Sequence, residues 1–165
     1  MTSVYYQGPS RWQSGFYKFM NPLIRFQVRR LGLGGGGVDL LRILRVRGRK
    51  SGRVYEFPVR VAVLDNQRYI ISMLGETQWV RNLRAMGTAQ LIVGKTVESV
   101  HTRELQGQEK TTMLAQCCQY KQFEQRARSM LKSALKLNTK HLTPAEIDLL
   151  AHAWFVFRLE PAEGE

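Results

Sequence analysis

Arg47-Gly48-Arg49-Lys50-Ser51-Gly52-Arg53, written RGRKSGR, separates two apolar stretches, Leu40 to Val46 and Val54 to Leu64. In the second, Tyr55, Phe57, Val59, Val61 and Val63 alternate with Glu56, Pro58, Arg60, Ala62 and Leu64. A period of two is the signature of a strand with one apolar face, so the heptapeptide reads as a turn joining two strands. Gly48 and Gly52 suit backbone at positive φ or the close approach of a ligand, and Arg49, Lys50 and Ser51 set donors side by side. Two readings follow. A tight basic turn with unpaired backbone N–H groups is a phosphate seat, whereas a solvated hairpin turn requires only that Arg and Lys stay exposed.

Beyond this turn, Asp65-Asn66-Gln67 predicts a hairpin connection into Arg68–Leu74. Thr77 is placed to cap a short helix carrying Trp79, Leu83 and Met86 on one face, with Val80 beside them and Gly87 as its stop. Thr88 to Val93 and Thr96 to Glu104 predict strands joined around Gly94-Lys95, and Ala153 to Leu159 predicts a closing strand. About six short strands with local connections, and a helix inserted after the third, predict a mainly β fold with flanking helices. A closed or partly open barrel fits this pattern better than a doubly wound α/β sheet. From Gln108 to Leu150 the chain reads as helical. Met113, Leu114, Cys117, Cys118, Tyr120, Phe123, Met130, Leu131, Ala134, Leu135 and Leu137 recur mostly at steps of three and four, which predicts one side packed on the barrel. Thr143-Pro144-Ala145-Glu146 combines an N-cap, proline at N1 and glutamate at N3, and so starts a last helix.

Before the turn, Trp12, Phe16, Phe19, Leu23 and Phe26 form a helical stripe with Lys18, Arg25, Arg29 and Arg30 outside it, divided at Asn21-Pro22. This basic amphipathic arm, residues 12–31, either lies on anionic lipid or packs across the domain or a partner subunit. Leu31 to Gly37 holds five glycines and reads as a hinge. The expected organisation is therefore an arm and hinge over residues 1–37 and a barrel over 38–165.

The 165 residues carry a net charge of +12, distributed unevenly. Residues 11–60 contain twelve Lys or Arg against two acids, a net +10, and the rest of the chain contributes only +2. A local basic surface implies an anionic partner: nucleic acid, a membrane surface or a phosphate-bearing cofactor. No 18-residue uncharged apolar run and no secretory h-region is present, so a soluble cytoplasmic protein is expected. Cys117 and Cys118 are adjacent, point about 100° apart on a helix, and read as small hydrophobes rather than a disulfide or metal site. His101, His141 and His152 have no partner pattern, and HExxH, GxSxG and P-loop motifs are missing. No catalytic residue and no metal site is indicated, which favours a bound cofactor that supplies the difficult chemistry.

GRKSG at Gly48–Gly52, FPV at Phe57–Val59, YIIS at Tyr69–Ser72 and GETQWVRNLRAMG at Gly75–Gly87 together resemble the deazaflavin-dependent nitroreductase or quinone reductase family. That family is a branch of the split-barrel flavin and deazaflavin oxidoreductases. The similarity runs roughly from Leu40 to Leu105 and resumes at AWFVFRLEP, Ala153 to Pro161. It implies a split β-barrel of the FMN-binding type, a homodimer, and coenzyme F420 with its ring across barrel strands. It further implies that Arg49, Lys50, Ser51 and Gly52 contact the cofactor phosphate and neighbouring tail, that Ser72 approaches the ring, and that Arg84 helps hold an anionic tail. Trp79, Asn82 and Leu83 match the helix motif, Trp79 and Leu83 as structural members. Members that reduce nitroimidazoles carry a tyrosine-rich segment before the last strand, which here keeps only Tyr120 and Phe123. The leading expectation is hydride transfer from reduced F420 to a hydrophobic, electron-poor small molecule such as a quinone or enone. An FMN-dependent split-barrel reductase and an F420-binding or storage protein without turnover are the alternatives, and a nucleic-acid-binding module is the less favoured account of the charge.

Overall fold

The computed structural model describes residues 39–135 and 139–162; the arm and hinge expected over 1–37, Leu137, and the side chains of Ala134 and Leu135 lie outside them. Among the described residues six strands close into a barrel: β1 (Asp39–Arg47), β2 (Val54–Leu64), β3 (Gln67–Ser72), β4 (Thr88–Val93), β5 (Thr96–Glu104) and β6 (Phe155–Pro161). Their order around the barrel is β1-β2-β3-β6-β5-β4, with β4 returning to β1. All neighbours are antiparallel, but the pairing is uneven: β2 meets β3 only over Val61–Leu64 and β1 meets β4 only over Ile43–Arg45, so Val54–Arg60 of β2 do not pair with β3. Four helices flank it: α1 (Gln78–Met86), α2 (Gly107–Cys118), α3 (Lys121–Leu135) and α4 (Pro144–Ala153). The expected mainly β barrel with flanking helices is the observed architecture.

Local chemistry sets the element ends. Asp65 and Asn66 have φ of 47° and 60°, and with Leu64 paired to Gln67 they form the two-residue connection that matches strand twist. β3 stops at Ser72 instead of Leu74 because the Ser72 hydroxyl donates to the Gly75 carbonyl at 2.7 Å and turns the chain. Ala153 belongs to α4, not to the closing strand, since the helix runs on until the Trp154 N–H bonds the Leu150 carbonyl. The capping box forms in full: the Thr143 hydroxyl accepts from the Glu146 N–H, and the Glu146 carboxylate accepts from the Thr143 N–H at 2.8 Å. Thr77 is the N-cap of α1 by its backbone, yet its hydroxyl makes no capping bond.

The barrel interior is filled by Leu44, Val46, Val59, Val61, Ile70, Leu91, Val100, Phe157 and Leu159. Val80 and Leu83 of α1 join the same cluster, so α1 closes the end of the barrel where β1 finishes and β4 begins. The opposite end is charged. Arg42 pairs in register with Val59, Glu98 with Leu91 and Arg68 with Leu159, which puts all three on the inner face. There the Arg68 guanidinium donates twice to Glu98, both at 2.6 Å. Arg68 holds the Glu98 carboxyl below its ordinary value, chiefly through that hydrogen bond.

The single apolar face expected for β2 holds only for its first half. Ala62 and Leu64, from the other face, are buried with Met113, Leu114, Phe123, Leu150 and Trp154. The helical layer α2–α4 covers that part of the barrel wall, so both faces of the strand become apolar; each fully buried Leu or Phe there contributes about 1.5–3 kcal/mol. The helical stripe meets the barrel as its spacing predicts, with two exceptions in detail. Tyr120 is exposed at the break between α2 and α3, and Cys118 is only half-buried. Burial, and secondarily Glu124, pushes the Cys118 thiol up to about 11.

Candidate functional site

The RGRKSGR loop closes on itself between β1 and β2. The Gly48 N–H donates to the Arg53 carbonyl and the Gly52 N–H to the Gly48 carbonyl, both at 2.8 Å. The two glycines serve different ends. Gly52 has φ of 65°, the left-handed region that favours glycine. A Cβ on Gly48 would lie 2.6 Å from Tyr55 Cε2 and 2.8 Å from Ser51 Oγ, so its smallness admits the loop's own side chains rather than a ligand.

Arg49 is braced by α1. Its Nη1 donates to Asn82 Oδ1 at 3.0 Å and Gln78 Oε1 at 3.2 Å, and its backbone N–H reaches the same Asn82 oxygen at 3.3 Å. Asn82 is 5% exposed, one of two buried polar residues among those described. Its neighbours Val80 and Leu83 are buried completely, so the barrel core fixes the helix and the helix fixes the loop. Both partners of the guanidinium are neutral amides, which orient the fork without cancelling its charge. Ser51 Oγ lies 3.2 Å from the Tyr55 hydroxyl and accepts from the Arg53 N–H at 3.3 Å. Among the described residues the Lys50 ammonium, the Arg47 and Arg53 guanidinium groups, and the backbone N–H groups of Lys50 and Ser51 have no partner.

The remaining expected residues sit elsewhere. Ser72 is 3% exposed and its hydroxyl is committed to the Gly75 carbonyl, so its side chain does not present a free donor to a ring. Arg84 lies across α1 from the loop's clamp. It donates to Glu104 at 2.7 and 2.9 Å and to Glu76 at 2.5 Å, and its pKa is raised by the bonds to Glu104 and then Glu76. Arg84 is thus committed to two carboxylates in this structure, one of which, Glu76, also accepts from Arg81 at 2.9 Å. Glu104, at the end of β5, is the main partner in this network. Trp79 packs its ring 6.2 Å from Phe157, and Leu83 is fully buried; both have core contacts.

Beside the loop, a groove of about 370 Å³ opens on the outer wall of β1, β4 and β5. Arg47 and Val54, at the two ends of the loop, line it together with Met86, Thr88, Gln90 and Ser99. Val54 and Met86 are exposed at its rim, and its floor mixes the buried apolar Val46, Ala89 and Val100 with polar side chains. On that floor Arg45 is held by Glu56 at 3.0 Å and Gln90 at 3.1 Å. Met86, expected on the buried face of α1 with Trp79 and Leu83, instead faces this groove because the helix ends at Gly87 before another turn can bury it. Sequence reading also missed Gln78 as a clamp, although Gln78 and Asn82 at i and i+4 share one helix face.

Residues 21–131 match the family described as F420H(2)-dependent quinone reductase, and the chain belongs to that family. A solved F420-H2 dependent reductase, FDR-A, aligns at TM-score 0.48 and 17% identity over 73% of this chain and 93% of that one. A conserved hypothetical protein from Mycobacterium tuberculosis aligns at TM-score 0.45 and 12% identity, over 99% of this chain and 87% of that chain. A structure described as a domain-swapped dimer aligns at TM-score 0.46 and 16% identity over 90% and 99% of the two chains. No curated protein matches.

Proposed function

We propose that the chain is a reductase that uses reduced F420 to reduce a hydrophobic, electron-poor carbonyl compound such as a quinone or enone. The observation that carries this is the loop: free N–H groups on Lys50 and Ser51, an unpaired Lys50 ammonium and an amide-held Arg49, in a chain of the F420H(2)-dependent quinone reductase family. These groups fit a phosphate-bearing cofactor, since a nest of backbone donors ringed by unmatched cations is complementary to a phosphate. Bound F420 supplies the hydride. Lys50, Ser51 and Arg49 would hold its anionic end, and Gly52, at φ of 65°, sets the loop conformation between them and β2. The neighbouring groove suits the acceptor: Val54 and Met86 offer apolar contact, while Gln90, Thr88 and Ser99 offer hydrogen bonds to carbonyl oxygens. Positioning two reactants side by side is a large part of what such a protein contributes.

Residues 38–165 form the cofactor-binding body in this reading, and a homodimer in the cytoplasm is its setting; no helix among the described residues is long and apolar enough to cross a membrane. Anaerobic mixing of the protein with reduced F420 and a panel of quinones and enones should oxidise the cofactor. Tight binding of FMN with indifference to F420 would transfer the assignment to a flavin-dependent reductase. Persistent F420 binding without accelerated oxidation by any acceptor would leave a carrier in place of an enzyme. Light scattering at several protein concentrations tests the dimer.

A further inference from the structure

We propose that Asn82 is the positioning residue of the phosphate seat, and that being an amide instead of a carboxylate is what lets it hold Arg49 while leaving the guanidinium charged toward a ligand. This rests on the reading of the loop as that seat. Three arginines elsewhere in this chain are each held in a fork on one carboxylate, while Arg128 rests on the Thr139 carbonyl. Arg68 is bidentate on Glu98, Arg103 on Glu109 and Arg84 on Glu104. Arg49 is handled otherwise. Its two side-chain acceptors among the described residues are the amide oxygens of Gln78 and Asn82.

Asn82 is nearly inaccessible, and one of its atoms, Oδ1, accepts from both the Arg49 backbone and the Arg49 side chain. The backbone bond fixes where the loop leaves β1, and the side-chain bond fixes the direction of the fork. An aspartate has the same shape and would make both bonds more strongly, because a charged acceptor forms shorter and stronger hydrogen bonds. It would also cancel the positive charge that attracts a phosphate. Asparagine therefore sacrifices bond strength and retains the field. A purely architectural Asn82 predicts the reverse, since Asp would then serve as well or better.

The decisive variant is Asn82→Asp, measured beside wild type and Lys50→Ala. Three readouts are the dissociation constant for F420 by fluorescence titration, the rise in melting midpoint that inorganic phosphate produces in the cofactor-free chain, and the ligand-free melting midpoint. At neutral pH, Asn82→Asp should weaken F420 binding about tenfold or more and diminish the phosphate-induced rise, while the ligand-free midpoint holds or increases. Gln78→Glu places the same negative charge on Arg49 from an exposed position and keeps the test alive should a buried aspartate prevent folding. It should weaken binding by about three- to tenfold, whereas the neutral Gln78→Met should change it by less than about twofold. If Asn82→Asp folds and binds as wild type while Lys50→Ala is weakened, the seat stands and the role given to Asn82 is wrong. That role is equally wrong if Asn82→Asp does not fold and Gln78→Glu binds F420 as tightly as wild type. If Lys50→Ala also binds normally, the seat itself falls and takes this proposal with it.

Discussion

Replacing Lys50 by Ala removes a charge that the folded chain does not use. The side chain is exposed, and no acid or carbonyl holds it among the described residues. Its loss should change stability by no more than about 0.5 kcal/mol, the range of surface substitutions away from special features. A charge-assisted hydrogen bond to a phosphate contributes about 1.5–3 kcal/mol, and at about 1.4 kcal/mol per decade that is roughly a ten- to 150-fold rise in the dissociation constant for F420. Ionic strength must be held fixed, because the Debye length is about 8 Å at 0.15 M salt and surface charge effects shrink as it shortens. Fluorescence titration gives the affinity, and circular dichroism gives the melting midpoint. Lys50→Arg retains the charge but not the compact ammonium, so it should recover most of the affinity. Affinity equal to wild type in Lys50→Ala would refute the phosphate contact.

Three other outcomes are expected. Arg84→Met breaks the pairs with Glu104 and Glu76, yet these side chains are partly exposed; stability should fall by at most about 1 kcal/mol, F420 affinity should stay within about twofold, and a larger loss of affinity in titration would restore a tail-binding role. Met86→Trp fills the groove beside Thr88 and should raise KM for a quinone at least about fivefold while leaving F420 affinity nearly unchanged; steady-state kinetics with an unchanged KM would place the acceptor elsewhere. Arg68 lowers the Glu98 pKa in the folded state, so this carboxylate stabilises the fold above its unfolded pKa and that contribution disappears as pH falls through the lower folded value. Glu98→Gln should therefore flatten the acid limb of melting midpoint against pH below about 4.3, and identical limbs in the two proteins would remove Glu98 from the acid response.

The barrel was legible because its information is local. Asp65-Asn66 and Gly94-Lys95 mark two-residue turns, Thr143 to Glu146 spells a capping box, and Val59 and Val61 keep the alternation that a one-sided strand requires. Ala62 and Leu64 broke that alternation for a reason no local window contains: a helical layer drawn from residues 107–153 lies against their side of β2. The site divided in the same way. A glycine-bracketed basic turn stands out in the sequence, so Lys50 and Ser51 were visible as candidate donors. What Arg49 and Arg84 do with their charges was not, because it depends on partners that lie mostly twenty or more residues away. Amides at Gln78 and Asn82 leave one guanidinium without a counter-charge, while carboxylates at Glu76 and Glu104 pair with the other.

Among the described residues, buried side chains fill the barrel. Leu44, Ile70, Val100 and Phe157 occupy its axis, α1 stoppers one end and the Arg68–Glu98 pair occupies the other. In the proposed reading the acceptor therefore works from the outer wall, beside Val54 and Met86, and not from the barrel axis. An acceptor seated there by its ring can trail a substituent of any size into solvent, a lipid surface or a second protein. In that reading, selectivity among the described residues falls on the side chains around the reacting ring, Met86, Thr88 and Gln90.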